Sequence, residues 1–295
     1  MKKGFIKKGL AMLSLVILVL TLAACGNSST NEAAPEEKST ETAQSSIEAI
    51  KERGVLKVAV FSDKPPFGYI DENGENQGYD IVLAKRIAKD LLGDESKVEF
   101  VLTEAQNRVD VLKSDKVDIT LANFTVTPER SEQVDFANPY MKVAIGVASP
   151  KAAPITSVDQ LEGQKLLINK GTTAETYFMK NHPGVEQVKY DQNTETFEAL
   201  KDGRGVALAH DNTLLYAWVK ENPDFTVGIK ELGSIDYIAP AVKKGNKELL
   251  DWLNKELETL GQEQFFHKAY DETLKAHFGE EISADDVVVE GVPEK

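Results

Sequence analysis

Four short stretches hold the residue types a small charged ligand would need. Arg130 can fork onto a carboxylate with two parallel hydrogen bonds, which a lysine in its place could not do. Gly171-Thr172-Thr173 reads as the opening of a helix, where backbone N–H groups and the positive end of the dipole suit an anion. Asp211 could accept from an ammonium, and Thr125 could offer its hydroxyl or its N–H. A cation with backbone donors for a carboxylate, and an acid for an ammonium, is the complement of a free amino acid. Each feature alone has a plainer reading: a surface arginine, a helix cap, a common helix start. Their meaning depends on whether the chain brings them together.

The elements that must do so alternate between strand and helix. Val55–Phe61 is short and β-branched and reads as a strand. Ser62–Tyr69 is a loop because its paired prolines cannot continue a ladder, and Asp71-Glu72-Asn73-Gly74 is a turn. A helix is predicted from Asp80, whose side chain can cap it, to Gly93. Val98–Leu102 alternates as a strand, Asn107–Lys113 is helical, Val117–Leu121 is a third strand, and Asn123–Arg130 is a loop entering a helical turn. The pattern then restarts. Strands are predicted at Val143–Val147, Lys165–Ile168, Val185–Tyr190, Val206–Ala209 and Tyr237–Val242. Helices are predicted at Val158–Leu161, from Thr173, at Glu195–Lys201 and around Leu214, Leu215 and Trp218. Asn246 caps a last helix with Leu249, Leu253, Leu257 and Leu260 on one face, ended by Gly261. Two successive rounds of alternation imply an α/β fold of two lobes. In such sheets ligands sit beyond the carboxyl ends of strands, where Asn123–Arg130, Gly171–Thr173 and His210–Asp211 all fall.

The N-terminal end has a different character. Lys2, Lys3, Lys7 and Lys8 precede an apolar run, Leu10 to Leu20, interrupted only by Ser14, and the run closes on Leu22-Ala23-Ala24-Cys25. That order is a signal peptide over residues 1–24, followed by the lipobox cysteine of a lipoprotein. Cys25 is the single cysteine of the chain, so no internal disulfide is expected, and acylation there would tether the protein. Residues 25–46 are small and polar, too poor in apolar surface to order themselves, and read as a flexible stalk. The expected location is the outer face of the cytoplasmic membrane.

The chain carries 34 basic and 48 acidic side chains, a formal charge of −14; losing the leader's four lysines would take it to −18. Such a surface argues against nucleic acid as a partner. No Ser/His/Asp or Cys/His set is evident, and the four histidines (His182, His210, His267, His277) lack metal-ligand spacing. Neither a catalytic centre nor a metal or other cofactor is expected. His210 beside Asp211 is the one pair that could join the pocket wall.

From Gly54 to about Asp286 the chain resembles the polar amino-acid-binding proteins of ABC importers, solute-binding protein family 3. The resemblance rests on Gly78-Tyr79-Asp80-Ile81, Val117-Asp118-Ile119, the run Ala122 to Arg130, Val134-Asp135-Phe136, Pro139-Tyr140, Gly171-Thr172-Thr173 and Asp211. It implies a type II periplasmic-binding-protein (Venus-flytrap) fold, in which two crossing strands join the lobes and the ligand lies between them. On this chain that places lobe 1 at 47–143 and 236–295, lobe 2 at 144–235, and the crossings near Lys142–Ala144 and Ser234–Tyr237. It also implies that Arg130 and the N–H groups of Thr125 and Thr173 hold the α-carboxylate. Asp211 and the Asn123–Thr125 segment would hold the α-ammonium. Hinge closure would then present the loaded protein, expected to be a monomer, to a permease.

Lys64 and Phe67 complete the candidate ligand-binding set with Arg130, Asp211, Thr125, Asn123, Gly171, Thr172, Thr173 and Arg108. Ala105 stands where many members carry an aromatic, and Asn107-Arg108 resembles the binders of acidic amino acids. Yet Leu121–Pro150, Lys189–Gly233 and Gly261–Gly279 are most similar to cysteine-binding members, as in Tyr190-Asp191-Gln192-Asn193-Thr194-Glu195-Thr196 and Gln264-Phe265-Phe266-His267-Lys268. Cysteine is therefore the expected ligand, with aspartate or glutamate and then cystine as alternatives. A dehydratase-like enzyme and a surface adhesin are the readings from other classes.

Overall fold

The computed structural model describes residues 45–278 and 282–292; the signal peptide, Cys25 and most of the expected stalk lie outside them. The described residues form one compact unit. Ser45 and Ser46 belong to the fold rather than to the stalk. Ser45 is buried, with its carbonyl accepting from Asn246 Nδ2, and Ser46 caps the first helix through Ala49 N.

In chain order the elements begin with α1 (Ile47–Arg53), β1 (Leu56–Val60), β2 (Asp63–Lys64), β3 (Gly68–Ile70), β4 (Asn76–Gln77), α2 (Tyr79–Leu92), β5 (Val98–Leu102), α3 (Arg108–Lys113), β6 (Ile119–Thr120), α4 (Pro128–Ser131) and β7 (Val134–Phe136). They continue with β8 (Met141–Pro150), β9 (Lys165–Asn169), α5 (Thr173–Asn181), β10 (Glu186–Tyr190), α6 (Asn193–Lys201), β11 (Ala207–Asp211), α7 (Asn212–Glu221), β12 (Phe225–Ile238), β13 (Ala241–Lys243), α8 (Lys247–Gln262), α9 (Phe265–Thr273), α10 (Lys275–Phe278) and α11 (Ala284–Val287).

Two five-stranded sheets result. The first has the order β5-β1-β6-β13-β7 and the second β10-β9-β11-β8-β12, with a small β2-β3-β4 sheet beside them. β1 pairs in parallel with β5 and β6, and β9 with β10 and β11, which is what strand–helix–strand alternation demands. Long β8 and β12 run antiparallel from Met141↔Ile238 to Phe225↔Pro150, with three register shifts along the way. Helices cover the sheets with apolar stripes: Leu249, Leu253, Leu257 and Leu260 of α8 are fully buried, as the four-residue spacing requires.

Several expectations are corrected. Asp80 is not the cap of α2; Gly78 holds that position. The Asp80 carboxylate instead accepts from Asn123 N and from Tyr140 Oη, both at 2.7 Å, so it braces the loop after β6. The strand expected at Tyr237–Val242 is two strands in different sheets, β12 and β13, with Ala239 and Pro240 at the changeover. Most of β12 went unread because Lys230, Glu231, Gly233 and Asp236 leave it little apolar alternation. Gly261 does not stop α8, which runs to Gln262; a Cβ there would meet the Glu290 carbonyl oxygen at 2.0 Å. Close approach of the C-terminal segment, not termination, demands glycine at that point.

Candidate functional site

The carboxyl ends of β1, β6, β9 and β11 converge on a small, tightly closed cavity. It is lined by Phe61, Lys64, Ala105, Arg108, Thr125, Thr172, Thr173, His210 and Asp211.

The loop after β6 is built to aim backbone at this point. Ala122 and Asn123 both adopt positive φ, 29° and 44°. Such strain persists only where the surroundings over-determine it, and here Asp80 holds Asn123 N. The two carbonyls so presented each accept from Arg108 Nη1 at 3.1 Å, while Arg108 Nε donates to Ala105 O at 2.9 Å. Arg108 and Arg130 lie over the ring of Phe124, with Cζ 4.5 and 4.9 Å from its centroid. Arg130 donates to Thr125 O at 2.6 Å, and both arginines donate to Gly171 O at 2.9 Å. Burial lowers the pKa of both guanidinium groups. For Arg130, Asp211 opposes the shift and the value settles near 10; for Arg108, the charge of Arg130 adds to it.

Lys64 reaches in from β2. Its Nζ is 2.6 Å from Asp211 Oδ2 and 2.6 Å from Asn123 Oδ1, and the ammonium lies 5.2 Å from the centre of the Phe61 ring. Burial pushes the Lys64 pKa down, and Asp211 opposes it. For Asp211 burial is the largest single influence and works upward, but the charge and hydrogen bond of Lys64, with the neighbouring His210 and Arg108, together outweigh it and the carboxyl falls to about 2. Asp80 goes the other way, to about 6, because burial exceeds the help of Tyr140 and Asn123.

The start of α5 departs from expectation in detail. The Gly171 N–H is taken by the Glu175 carboxylate at 2.7 Å, and the Thr172 hydroxyl caps the helix through Glu175 N and donates to Asn169 O. Gly171 needs its positive φ of 75°, and a Cβ on it would lie 2.4 Å from Gln106 Cα, so the two sides of the cavity touch there. Other contacts join the same two sides. The Asp63 carboxylate accepts from Asn193 N at 2.7 Å, Asn193 Nδ2 at 2.9 Å and Thr194 N at 3.3 Å, at the start of α6; Gln106 donates to Asp191 at 2.8 Å; and Lys180 pairs with Glu129 at 2.5 Å.

Of the expected ligand-binding residues, the structure gathers Lys64, Arg108, Thr125, Thr172, Thr173 and Asp211 on the cavity wall, with Asn123, Arg130 and Gly171 bonded to that wall. Phe67 is the exception. It is fully buried in the core and packs against Phe278 at 6.4 Å between ring centres. Phe61, immediately before the loop, lines the cavity instead; its place at the end of an apolar strand was the available signal. Asp63, Gln106, Asp191 and Asn193 carried no signal, because contacts across the cavity leave no pattern within either element. Among the described residues no group of three or more His, Cys, Asp or Glu side chains could hold a metal ion, and no helix is long and apolar enough to cross a membrane.

Residues 56–276 match the bacterial extracellular solute-binding proteins, family 3. Among solved structures, the cysteine-binding protein from Campylobacter jejuni is 67% identical, with a TM-score of 0.82 over 82% of this chain and 98% of that one. The solute receptor for L-cysteine of Neisseria gonorrhoeae is 59% identical, with a TM-score of 0.82 over 83% and 99% of the two chains. An ABC transporter glutamine-binding protein of Bacillus subtilis is 34% identical over 93% of this chain and 98% of its own length.

Proposed function

The chain belongs to the bacterial extracellular solute-binding proteins, family 3, and on that premise we propose that it captures free L-cysteine outside the cytoplasm and delivers it to the permease of an ABC importer. The observation that carries this reading is the small cavity with Asp211 on its lining and Arg130 bonded to its wall through Thr125 O. A carboxylate would take Arg130 with the N–H groups of Thr125 and Thr173, and an ammonium would take Asp211. Two solved relatives of high identity bind cysteine, which favours it over the longer side chain of glutamine. Aspartate is the second reading, favoured by Lys64 and Arg108 on the wall.

In this proposal 47–143 and 236–295 form lobe 1, 144–235 form lobe 2, and the paired segments at Lys142↔Tyr237 and Val143↔Asp236 are the hinge. The Asp63–α6 and Gln106–Asp191 contacts are those of the closed form. The protein acts as a monomer, and acylation of Cys25 anchors it. The test is calorimetric titration of residues 42–295, stripped of ligand by unfolding and refolding, with L-cysteine, L-cystine, L-aspartate, L-glutamate and L-glutamine. Tight binding of cysteine alone supports the reading. Preference for aspartate or glutamate replaces it with the second, and the absence of heat with every amino acid removes both.

A further inference from the structure

The polar atoms around the cavity are unevenly divided between donors and acceptors. His210 is 1% exposed. Its Nδ1 accepts from Asp211 N at 2.7 Å, so in the neutral ring the proton sits on Nε2, and that N–H has no partner among the described residues. The ring is neutral because burial drives its pKa down to about 3. Asn123 uses its side-chain oxygen on Lys64, which leaves the buried Nδ2 donor with no partner among the described residues. Lys64 spends two of its three protons, on Asn123 and Asp211, and keeps one. Leaving a buried donor without an acceptor is unfavourable, and two such donors, His210 Nε2 and Asn123 Nδ2, stand beside the one Lys64 proton still to spare.

The charges point the same way. Lys64 and Arg108 line the cavity and Arg130 stands beside it, while Asp211 is the one carboxylate on the lining. Asp80 holds Asn123 N, and Asp236 and Glu129 act on Arg130; the Tyr140 phenol near Arg108 is held neutral by burial. A zwitterion would satisfy Arg130 and Asp211 and leave Lys64 and Arg108 facing the cavity without an added counter-charge.

Resting on the proposal that cysteine is the ligand, we infer that the cavity binds it as the thiolate, with the sulfur accepting from Lys64 Nζ and His210 Nε2. The S–H proton leaves to solvent on binding, the electron pair stays on sulfur, and no bond to the protein forms. Cations and N–H donors stabilise a thiolate far more than a thiol. A protonated thiol is a weak donor and a poor acceptor, and would leave both N–H groups unmet. Lys64 and His210 are on this account the residues that set specificity, with Lys64 also screening Asp211 from a second cation such as the end of an arginine side chain.

The experiment is titration of the wild-type chain from residue 42 with L-cysteine, under a non-thiol reductant, in two buffers of different ionisation enthalpy at pH 7 and pH 8, with the ultraviolet thiolate band recorded on the complex. With a free thiol pKa of about 8.5, the expected result is release of about one proton at pH 7. Affinity should rise up to about tenfold per pH unit, and a thiolate band should appear that is lost with Lys64→Met. L-serine, which cannot ionise its hydroxyl here, should bind at least about a hundredfold more weakly. Cysteine that binds with no proton release and no thiolate band overturns this inference and leaves the ligand assignment standing. Failure of cysteine to bind at all overturns the assignment and this inference with it. Should Lys64→Met fail to fold, the wild-type proton count and band decide alone.

Discussion

Lys64 Nζ and Asp211 Oδ2 lie 2.6 Å apart, with side chains 1% and 6% exposed, and they come from positions 147 residues apart in the chain. One stands on the small sheet beside the first large sheet, the other at the carboxyl end of β11 in the second. The pair therefore ties the two sides of the cavity together by charge. Its net worth is set by the cost of taking both ions out of water, which good geometry and the Asn123 contact offset in part. A ligand ammonium arriving at Asp211 meets a carboxylate already held in its charged form.

Arg130→Ala should abolish binding of every amino acid while the fold persists. The variant would leave a desolvated ligand carboxylate without its cation, a loss of roughly 2–5 kcal/mol. Calorimetry with the preferred ligand checks it, and retained tight binding would show that the carboxylate lies elsewhere.

Gly171→Ala separates folding from closure. The new Cβ would stand 2.4 Å from Gln106 Cα, across the cavity, in a backbone with φ of 75°. The strain of a side chain at positive φ costs of order 1–3 kcal/mol, and the contact itself can be escaped only by moving the two sides apart. The expected outcome is a folded protein with ligand affinity reduced at least about tenfold and a larger radius of gyration in the presence of ligand, measured by small-angle scattering.

Asp63→Ala should act in the same direction but more mildly. Its carboxylate caps α6 from the other side of the cavity, accepting from Asn193 and Thr194. Loss of such a cap costs about 0.5–2 kcal/mol, here felt only in the closed form. Ligand dissociation followed by stopped-flow should quicken, with little change in the melting temperature of the ligand-free protein.

A pH effect is expected at the C-terminal segment. His267 lies between Glu290, which bonds its Nδ1, and Asp285, 3.0 Å from Nε2. Burial would lower its pKa, but the two carboxylates outweigh that and the net shift is upward. A raised histidine stabilises the fold fully below its unfolded value, and the contribution fades as pH rises through the folded value. Solvent screening limits it to no more than about 1 kcal/mol. His267→Gln should therefore lower the melting temperature at pH 5.5 and leave it nearly unchanged at pH 9.

Cys25→Ser should release the protein from membranes into the soluble fraction, because a serine offers no thiol for acylation. Fractionation and immunoblotting check it; a variant that still sediments with membranes would remove the anchor from the proposal.

Much of this was legible in the residues. Alternating strands and amphipathic helices announce themselves locally, as in β1 and the leucine stripe of α8, and the polar runs after strands located most of the cavity wall. What escaped depends on distant partners. Asp80 has the composition of a helix cap, and only the fold shows it bracing Asn123 and Tyr140. Phe61 closes an apolar run and Phe67 lies in the loop after it, and only the fold shows the first lining the cavity and the second buried in the core. β12 gains its ladder from β8, so its own sequence is free to be polar.

β13 sits in the first large sheet between β6 and β7, yet it follows the whole of the second sheet in the chain. The second sheet, from Met141 to Ile238, is continuous and can assemble as soon as it is made. The first cannot join β7 to β6 until residues 241–243 have emerged, and its closure waits on a contact of long sequence separation, which is slow. A chain synthesised from the N-terminus thus keeps its first large sheet unfinished until residues 241–243, long after its other strands have been made. If the chain is exported as proposed, that delay lengthens the time in which it stays threadable.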